Sequence, residues 1–263
     1  MITAGVRTGV ESELSMLIQV INPNTTESMT ATIEKAARAV AGPDTVIEAV
    51  TSPTGPVSIE SHYDEALSVP GLLTAVAAGE TRAVDGYLIA CFGDPGLDAA
   101  RELARGPVLG MAEAAMHTAG FLGRGFSVVT TLERTTGRTW DLAERYGMSR
   151  FCRGVHACEI PVLALETDPV AQATVTEVAR AALARDGSDA IVLGCAGMAD
   201  LCAAISAELG VPVVDGVAAG TLLVQSLVTM NLATGARGEF AAPVAKPYTG
   251  LLSGFGPETL RPG

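Results

Sequence analysis

The sequence has 263 residues, of which 48% are hydrophobic and 17% charged, so it can bury a sizeable core in one large domain or two small ones. Acidic residues outnumber basic ones by 29 to 17, and the resulting net charge of -12 argues against binding to nucleic acid. No apolar run reaches the roughly 18 residues that a membrane span requires, so we expect no membrane partner.

The first 15 residues lack the apolar core of a signal peptide, and we predict that 1–15 is either a disordered leader or the result of translation from a start upstream of Met16. Five cysteines in a chain without a secretory signal indicate a reducing compartment. We therefore expect a cytoplasmic protein whose thiols have chemical or packing roles.

Short runs of β-branched residues alternate along the chain with alanine-rich segments of helical periodicity. Strands are predicted at 17–21, 45–50, 86–91, 108–111, 126–130, 154–158, 190–195 and 211–215. Helices are predicted at 27–41, 60–79, 96–104, 112–121, 135–146, 169–186, 198–209 and 217–230. The Gly- and Pro-containing segment from 235 onward is predicted to form an extended tail. This alternation predicts an α/β fold with mostly parallel sheets flanked by helices.

The chain contains an internal repeat of three landmarks in the same order. Each half has a strand that ends in a Thr-rich turn, a strand that ends in Cys followed by a Gly-containing turn, and a Pro-Val strand that opens a helix. The spacing agrees, because Cys91 lies 17 positions before Val108 and Cys195 lies 18 positions before Val213. Matching order and spacing indicate two halves that share one architecture.

We therefore predict two pseudo-symmetric lobes, each a mostly parallel sheet flanked by helices, with the active site in the cleft between them. Residues 16–112 and 216–263 are assigned to the first lobe, and 113–215 to the second. We also expect a homo-oligomer, in which the Ala-, Val- and Leu-rich helix at 217–230 belongs either to the core or to an interface.

Cys91 and Cys195 are the candidate catalytic residues. Ligands of parallel α/β sheets bind beyond the carboxyl ends of the strands, where both cysteines are predicted to lie. Two thiols that face one carbon from opposite sides can remove a proton from one face and deliver a proton to the other, which is racemisation. The following turns, at helix N-termini, are expected to lower the thiol pKa. The alternative is that each cysteine is a small core residue.

The other three cysteines have simpler interpretations. Cys202 is predicted to pack in the core. Cys152 and Cys158 flank His156, but this spacing is not a recognised zinc pattern, so we predict no metal site.

The Thr-rich turns at 22–26 and 130–135 either cap helices or bind substrate oxygens through N–H and hydroxyl groups. Asp94 either caps the following helix or accepts a hydrogen bond from a substrate N–H. Glu113 and Asp215, after the two Pro-Val strands, either cap helices or border the cleft. Phe92 and Met198, close to the two thiols, are either apolar cleft walls or core.

Three motifs resemble the aspartate/glutamate racemase superfamily, and within it the hydantoin and allantoin racemase group. They are INPNTT at 21–26, IACFGDPGLDAARE at 89–102 and LGCAGMADL at 193–201, and the similarity extends from about 17 to 255. The resemblance implies a cofactor-independent racemase with two pseudo-symmetric lobes, in which Cys91 and Cys195 are the acid–base pair.

The residues after each cysteine differ from those of the amino-acid racemases in the superfamily, which have Asn-Thr and Thr-His there. This chain has Phe92-Gly93 and Ala196-Gly197, so polar contacts to a free ammonium and carboxylate are lost. The resemblance therefore favours a neutral cyclic ureide, a 5-substituted hydantoin or allantoin. The predicted substrate-binding residues are Asn24, Thr25, Phe92, Gly93, Thr130, Thr131, Ala196 and Gly197.

Two other functional classes are compatible with the sequence. The first is a one-thiol decarboxylase or cis–trans isomerase of the same superfamily, which would not need the second cysteine. The second is a non-catalytic module that binds a small molecule, whose thiols would be unreactive.

Overall fold

A computed structural model describes residues 15–256, which form eight strands and eight α-helices. The predicted leader at 1–15 lies outside the described residues except for Ser15. The strands are β1 (Met16–Asn22), β2 (Thr45–Thr51), β3 (Gly86–Ile89), β4 (Val108–Gly110), β5 (Phe126–Thr130), β6 (Cys152–Ala157), β7 (Ala190–Leu193) and β8 (Val213–Val214). The helices are α1 (Glu27–Val40), α2 (His62–Glu80), α3 (Leu97–Leu103), α4 (Met111–Gly120), α5 (Thr136–Arg145), α6 (Ala171–Asp186), α7 (Cys202–Leu209) and α8 (Gly216–Thr229).

The strands form two separate four-stranded parallel sheets. Their orders are β2-β1-β3-β4 and β6-β5-β7-β8, so corresponding strands of the two halves occupy the same places. This repeated order confirms the predicted α/β fold with two pseudo-symmetric lobes. Every residue of β3, β5 and β7 is buried, as expected for central strands covered by helices on both faces.

The two lobes share one hydrophobic core. Buried residues of β1, such as Val20, belong to the same cluster as Val128 of β5 and Val192 of β7. Helix α4 connects the lobes, because it follows β4 of the first sheet directly and leads to β5 of the second.

Helix α8 returns the chain to the first lobe and packs against β1, β3 and β4, as well as α1 and α4. These contacts support the assignment of the chain after residue 215 to the first lobe, although the domain boundaries stay a prediction. The inner face of α8, which includes Val217 and Val224, belongs to the core.

Two segments differ from the sequence-based expectation. The predicted helix at 198–209 divides into a 3₁₀ helix, Ala196–Leu201, and α7. The predicted extended tail contains two further 3₁₀ helices, Gly238–Phe240 and Gly250–Phe255, so it is only partly extended. Within residues 15–256, no helix has both the length and the hydrophobicity needed to cross a membrane.

Candidate active site

Cys91 and Cys195 lie just beyond the carboxyl ends of β3 and β7, at equivalent places in the two sheets. Both thiols are free, half-buried and part of the wall of one cavity, which residues of both lobes line. The strands end two residues before each cysteine, slightly earlier than predicted. The fold therefore brings together two cysteines that are more than 100 positions apart in the sequence.

The turns that follow the two cysteines have the same hydrogen bonds. The carbonyl of Cys91 accepts from the N–H of Asp94, and the carbonyl of Cys195 accepts from the N–H of Met198, both at 3.0 Å. The backbone of the glycine two residues after each cysteine, Gly93 or Gly197, acts to lower the pKa of the thiol. The sequence repeat therefore corresponds to a repeat of local geometry around the thiols.

Burial controls the acidity of both thiols. It raises the pKa of Cys91 well above its usual range and raises the pKa of Cys195 to about 12, while the glycine N–H groups partly oppose the shift. Nearby carboxylates add to the effect, Glu65 at Cys91 and Glu60 at Cys195. The expectation of a lowered pKa is therefore wrong for this structure, because loss of hydration outweighs the local backbone donors.

Six of the eight predicted binding residues line the cavity, and two are directed elsewhere. The six are Asn24, Phe92, Gly93, Thr130, Thr131 and Ala196. Thr25 donates from its N–H and its hydroxyl to the carbonyl of Pro56, at 3.0 and 3.3 Å. Gly197 lies two residues after Cys195, and its backbone acts to lower the pKa of that thiol.

The Thr-rich turns organise the cavity wall. Thr130 and Thr131 are buried, and the Thr130 hydroxyl lies 2.9 Å from that of Thr135. In the first half, the Thr26 hydroxyl donates to the carbonyl of Val57 at 2.7 Å and so ties α1 to the loop between β2 and α2. Asn24 is buried, and its side-chain oxygen accepts from the N–H of Thr26 at 2.9 Å.

Sequence reasoning missed a set of polar and charged residues from α2, α5 and the segments just before them. These are Glu60, Ser61, His62, Glu65, Arg134, Thr135, Arg138 and Thr139. The Arg138 guanidinium lies 3.3 Å from the Glu65 carboxylate and donates to the carbonyl of Gly93 at 2.9 Å. Burial raises the pKa of Glu65, against the opposing effect of Arg138. Two of these residues, Arg134 and Thr135, belong to the Thr-rich turn at 130–135 that the sequence already indicated. No local motif marks the other six, which long-range packing brings to the cleft.

The Gly93 position has a steric requirement. A Cβ atom built there would lie 2.4 Å from Oε1 of Glu65, so any other residue would displace this carboxylate. The Glu60 carboxylate crosses the cleft and accepts from the N–H of Val162 in the second lobe at 2.7 Å. Both acidic residues therefore have fixed partners in the cavity wall.

The remaining candidates cap helices, form an ion pair or pack in the core. Asp215 caps α8, and Glu113 pairs with Arg101 at 2.7 Å. Asp94 is buried and caps α4 rather than the following helix. Met198 is fully buried in a second hydrophobic cluster, which is formed by residues of the second lobe such as Val175 and Leu193.

The cysteines outside the cavity have partners in the second lobe. Cys152 and Cys158 are buried near backbone carbonyls. A ring nitrogen of His156, which lies between them in the sequence, is 2.6 Å from the Asp186 carboxylate. Across residues 15–256, His, Cys, Asp and Glu side chains form no group of three or more that could hold a metal ion. Cys202 is buried in the second hydrophobic cluster, as predicted.

Comparison with known proteins agrees with the resemblance of the motifs. The family model described as Asp/Glu/Hydantoin racemase matches residues 18–224. The hydantoin racemase of Rhizobium meliloti is 46% identical over 236 residues, which cover 89% of this chain and 98% of that protein. The hydantoin racemase of Pseudomonas sp. (strain NS671) is 44% identical over 242 residues, with 92% and 97% covered.

A solved structure gives the same result. The allantoin racemase from Klebsiella pneumoniae is 52% identical in sequence and superposes with a TM-score of 0.90, covering 92% of this chain and 100% of that one. The chain therefore belongs to the Asp/Glu/Hydantoin racemase family.

Proposed function

We propose that this protein is a cofactor-independent racemase of 5-substituted hydantoin-type rings, either hydantoins or allantoin. The observation that carries the proposal is the pair of cysteines, one at the carboxyl end of each sheet, that lie in the wall of one cavity on turns with an equivalent backbone hydrogen bond. Relatives that are called hydantoin racemase or allantoin racemase align with nearly the whole described chain and support this substrate class.

The reaction transfers one proton at C5. The thiolate of one cysteine takes the proton from C5, and the electron pair of the broken C–H bond is delocalised into the neighbouring carbonyl as an enolate. The thiol of the other cysteine then gives its proton to the opposite face of C5. The first sulfur ends protonated and the second ends as a thiolate, ready for the opposite enantiomer.

The cavity wall offers donors for the charge that develops on the ring oxygen. The hydroxyls of Thr130 and Thr131 lie in the wall that contains both thiols. Donors fixed by the fold stabilise an enolate more than the neutral ring, because they are aimed where charge develops. Each sulfur must come within roughly 3–3.5 Å of C5, so the two sulfurs should lie at most roughly 6–7 Å apart, on opposite faces of the ring.

The second cysteine separates racemisation from the alternative reactions. A one-thiol decarboxylase or isomerase has no use for two equivalent thiols in one cavity. A binding module would keep its affinity for the ring after alkylation of Cys91 by iodoacetamide, whereas the racemase would lose turnover. All five cysteines are free thiols, which persist in a reducing compartment, and a cytoplasmic location is therefore part of the proposal.

The test uses Cys91→Ser and Cys195→Ser with enantiopure hydantoins and allantoin, followed by polarimetry and by deuterium exchange at C5. We expect each variant to lose racemisation by about 10²–10⁴-fold, since each lacks one half of the acid–base pair. Cys202→Ala, which changes a buried thiol outside the cavity, is the matched control and should keep its turnover. Racemisation at the unmodified rate by both serine variants would exclude the two-thiol mechanism.

A further inference from the structure

The helices that follow the fourth strand of each sheet are capped in different ways. Helix α8 begins after Asp215, whose carboxylate accepts from the N–H groups of Val217 and Ala218 at 2.9 and 3.2 Å. This is the usual arrangement, in which the residue before the helix satisfies its free N–H groups.

Helix α4 begins after Gly110, which has no side chain to serve as a cap. The two equivalent N–H groups, of Ala112 and Glu113, donate instead to the carboxylate of Asp94 at 3.0 and 2.9 Å. A Cβ atom at Gly110 would lie 2.2 Å from Cγ of Asp94, so the Asp94 carboxylate occupies the space of a local cap.

Asp94 is part of the turn that carries Cys91. Its N–H donates to the carbonyl of Cys91, its φ of +44° is in the left-handed region that few residues other than Gly adopt, and it is only 2% exposed. The Tyr146 hydroxyl, at the end of α5, also donates to the same carboxylate at 2.6 Å. One side chain thus connects the Cys91 turn to α4 and to the helix that flanks the second sheet.

The Cys195 turn has a different anchor. The position equivalent to Asp94 is Met198, which forms the same backbone hydrogen bond but is held by packing in an apolar cluster. The two thiols therefore lie on turns that share one backbone hydrogen bond, but the first turn is fixed by charge-assisted hydrogen bonds and the second by hydrophobic contacts.

We propose that Asp94 is a positioning residue that fixes Cys91 in the cleft by tying its turn to the N-terminus of α4 and to Tyr146. The inference rests on the proposed function, in which Cys91 must approach C5 closely. A carboxylate at a helix N-terminus is held by both the hydrogen bonds and the helix dipole. Removing this tie frees the turn, and small misplacements of a reacting group reduce the rate strongly.

The experiment separates two roles of Asp94, the capping of α4 and the connection of α4 to the Cys91 turn. Asp94→Ala removes both, whereas the double variant Asp94→Ala/Gly110→Asp restores a cap of the Asp215 type without a connection to Cys91. The backbone at Gly110 is extended, with φ -89° and ψ 150°, and therefore accepts an aspartate. Asp215→Ala, which removes the matching cap in the other half, is the control.

We expect Asp94→Ala to lower both Tm and kcat, with kcat reduced at least tenfold and KM little changed. The double variant should regain most of the Tm while kcat stays low. Asp215→Ala should lower Tm and leave the kcat of the folded protein unchanged. Recovery of kcat together with Tm in the double variant would overturn the proposal, since Asp94 would then be a helix cap only.

A second measurement does not depend on turnover. Mass spectrometry gives the rates at which iodoacetamide modifies Cys91 and Cys195 in the wild-type protein and the double variant. The Asp94 charge itself raises the pKa of Cys91, so Asp94→Asn, which removes the charge and keeps the shape of the side chain, is the control. The proposal expects a rate at Cys91 in the double variant that differs from the rates in both the wild-type protein and Asp94→Asn, with an unchanged rate at Cys195. Equal Cys91 rates in the double variant and Asp94→Asn would overturn it. Should the wild-type protein racemise no hydantoin-type ring, the proposed function fails, and this measurement still decides whether Asp94 positions Cys91.

Discussion

At the scale of single residues, the burial of the two thiols opposes their ionisation. Burial in the cavity wall raises the pKa of both Cys91 and Cys195, the latter to about 12. Only a small fraction of either is thiolate at neutral pH. The backbone N–H groups of Gly93 and Gly197 reduce this penalty without removing it, because hydration is lost around the whole sulfur.

A pH dependence follows from these raised pKa values. We predict that kcat/KM rises about tenfold per pH unit from roughly pH 7 to 9, because the thiolate fraction grows tenfold per unit below the pKa. The measurement is racemisation by polarimetry at a series of pH values. A flat profile over this range would show that one thiol is already ionised.

Folding stability must be checked alongside the rate. A thiol whose pKa is higher in the folded state than in the unfolded state favours folding fully below the unfolded value, about 8.5. This contribution decreases as the pH rises from there towards the folded pKa, so the protein should become less stable in alkaline solution. Thermal unfolding at each pH identifies the range in which the rate reports chemistry alone.

The glycines after the two cysteines provide a matched pair of substitutions. In Gly93→Ala the new methyl group would lie 2.4 Å from the Glu65 carboxylate, whereas in Gly197→Ala the nearest atom is 3.4 Å away. We predict a loss of kcat/KM about tenfold larger for Gly93→Ala, because the Glu65–Arg138 pair must move. Both variants keep the backbone N–H, so equal losses would contradict the prediction that the position of Glu65 matters.

At the scale of secondary-structure elements, α2 carries cavity residues because it packs tightly on the loop before it. Gly71 allows this approach, since a Cβ atom there would lie 2.1 Å from Oγ of Ser52 and 2.3 Å from the carbonyl oxygen of Thr54. The same loop leads to Glu60 and Ser61 in the cavity wall. The packing of α2 therefore determines both stability and the shape of the cleft.

A substitution at Gly71 in α2 tests this packing, and one at Gly137 in α5, where the added methyl group has free space, is the comparison. Gly71→Ala should lower the free energy of unfolding by about 1–3 kcal/mol, the usual cost of overpacking. Gly137→Ala in α5 should raise it by about 0.4–1 kcal/mol, because alanine restricts the unfolded state and the new methyl group has no contact within 4 Å beyond its chain neighbours and the backbone of its own helix. Urea unfolding gives both values, and a stable Gly71→Ala variant would contradict the tight contact.

At the scale of the whole molecule, the lobes are joined around the cleft. Besides the shared core, the Arg138–Glu65 and Tyr146–Asp94 contacts connect α5 with the first lobe. The Glu60–Val162 hydrogen bond connects the lobes on the other side of the cavity. Such continuous contact predicts that neither lobe unfolds independently.

Unfolding should therefore be a single cooperative transition. Trp140, the only tryptophan of the sequence, lies on α5 and reports by fluorescence on the second lobe, while circular dichroism reports on all helices. We expect the two signals to change at the same denaturant concentration. Separate midpoints would show that the shared core does not couple the lobes.

The sequence by itself determined the alternation of strands and helices, the repeat and the two cysteine turns. These features are local, because hydrophobic periodicity and turn residues act over a few positions. They were sufficient to predict the two-lobed fold, with small errors at element boundaries such as the division of the helix at 198–209.

Only the tertiary structure decided which distant polar groups surround the thiols. Glu65 and Arg138 are far apart in the chain and belong to no motif, and the capping of α4 by Asp94 depends on the missing side chain at Gly110. The direction of the thiol pKa shifts was also decided there, since desolvation depends on atoms contributed by every packed element. Short-range patterns specify the elements, whereas contacts between residues remote in sequence create the chemical environment of the site.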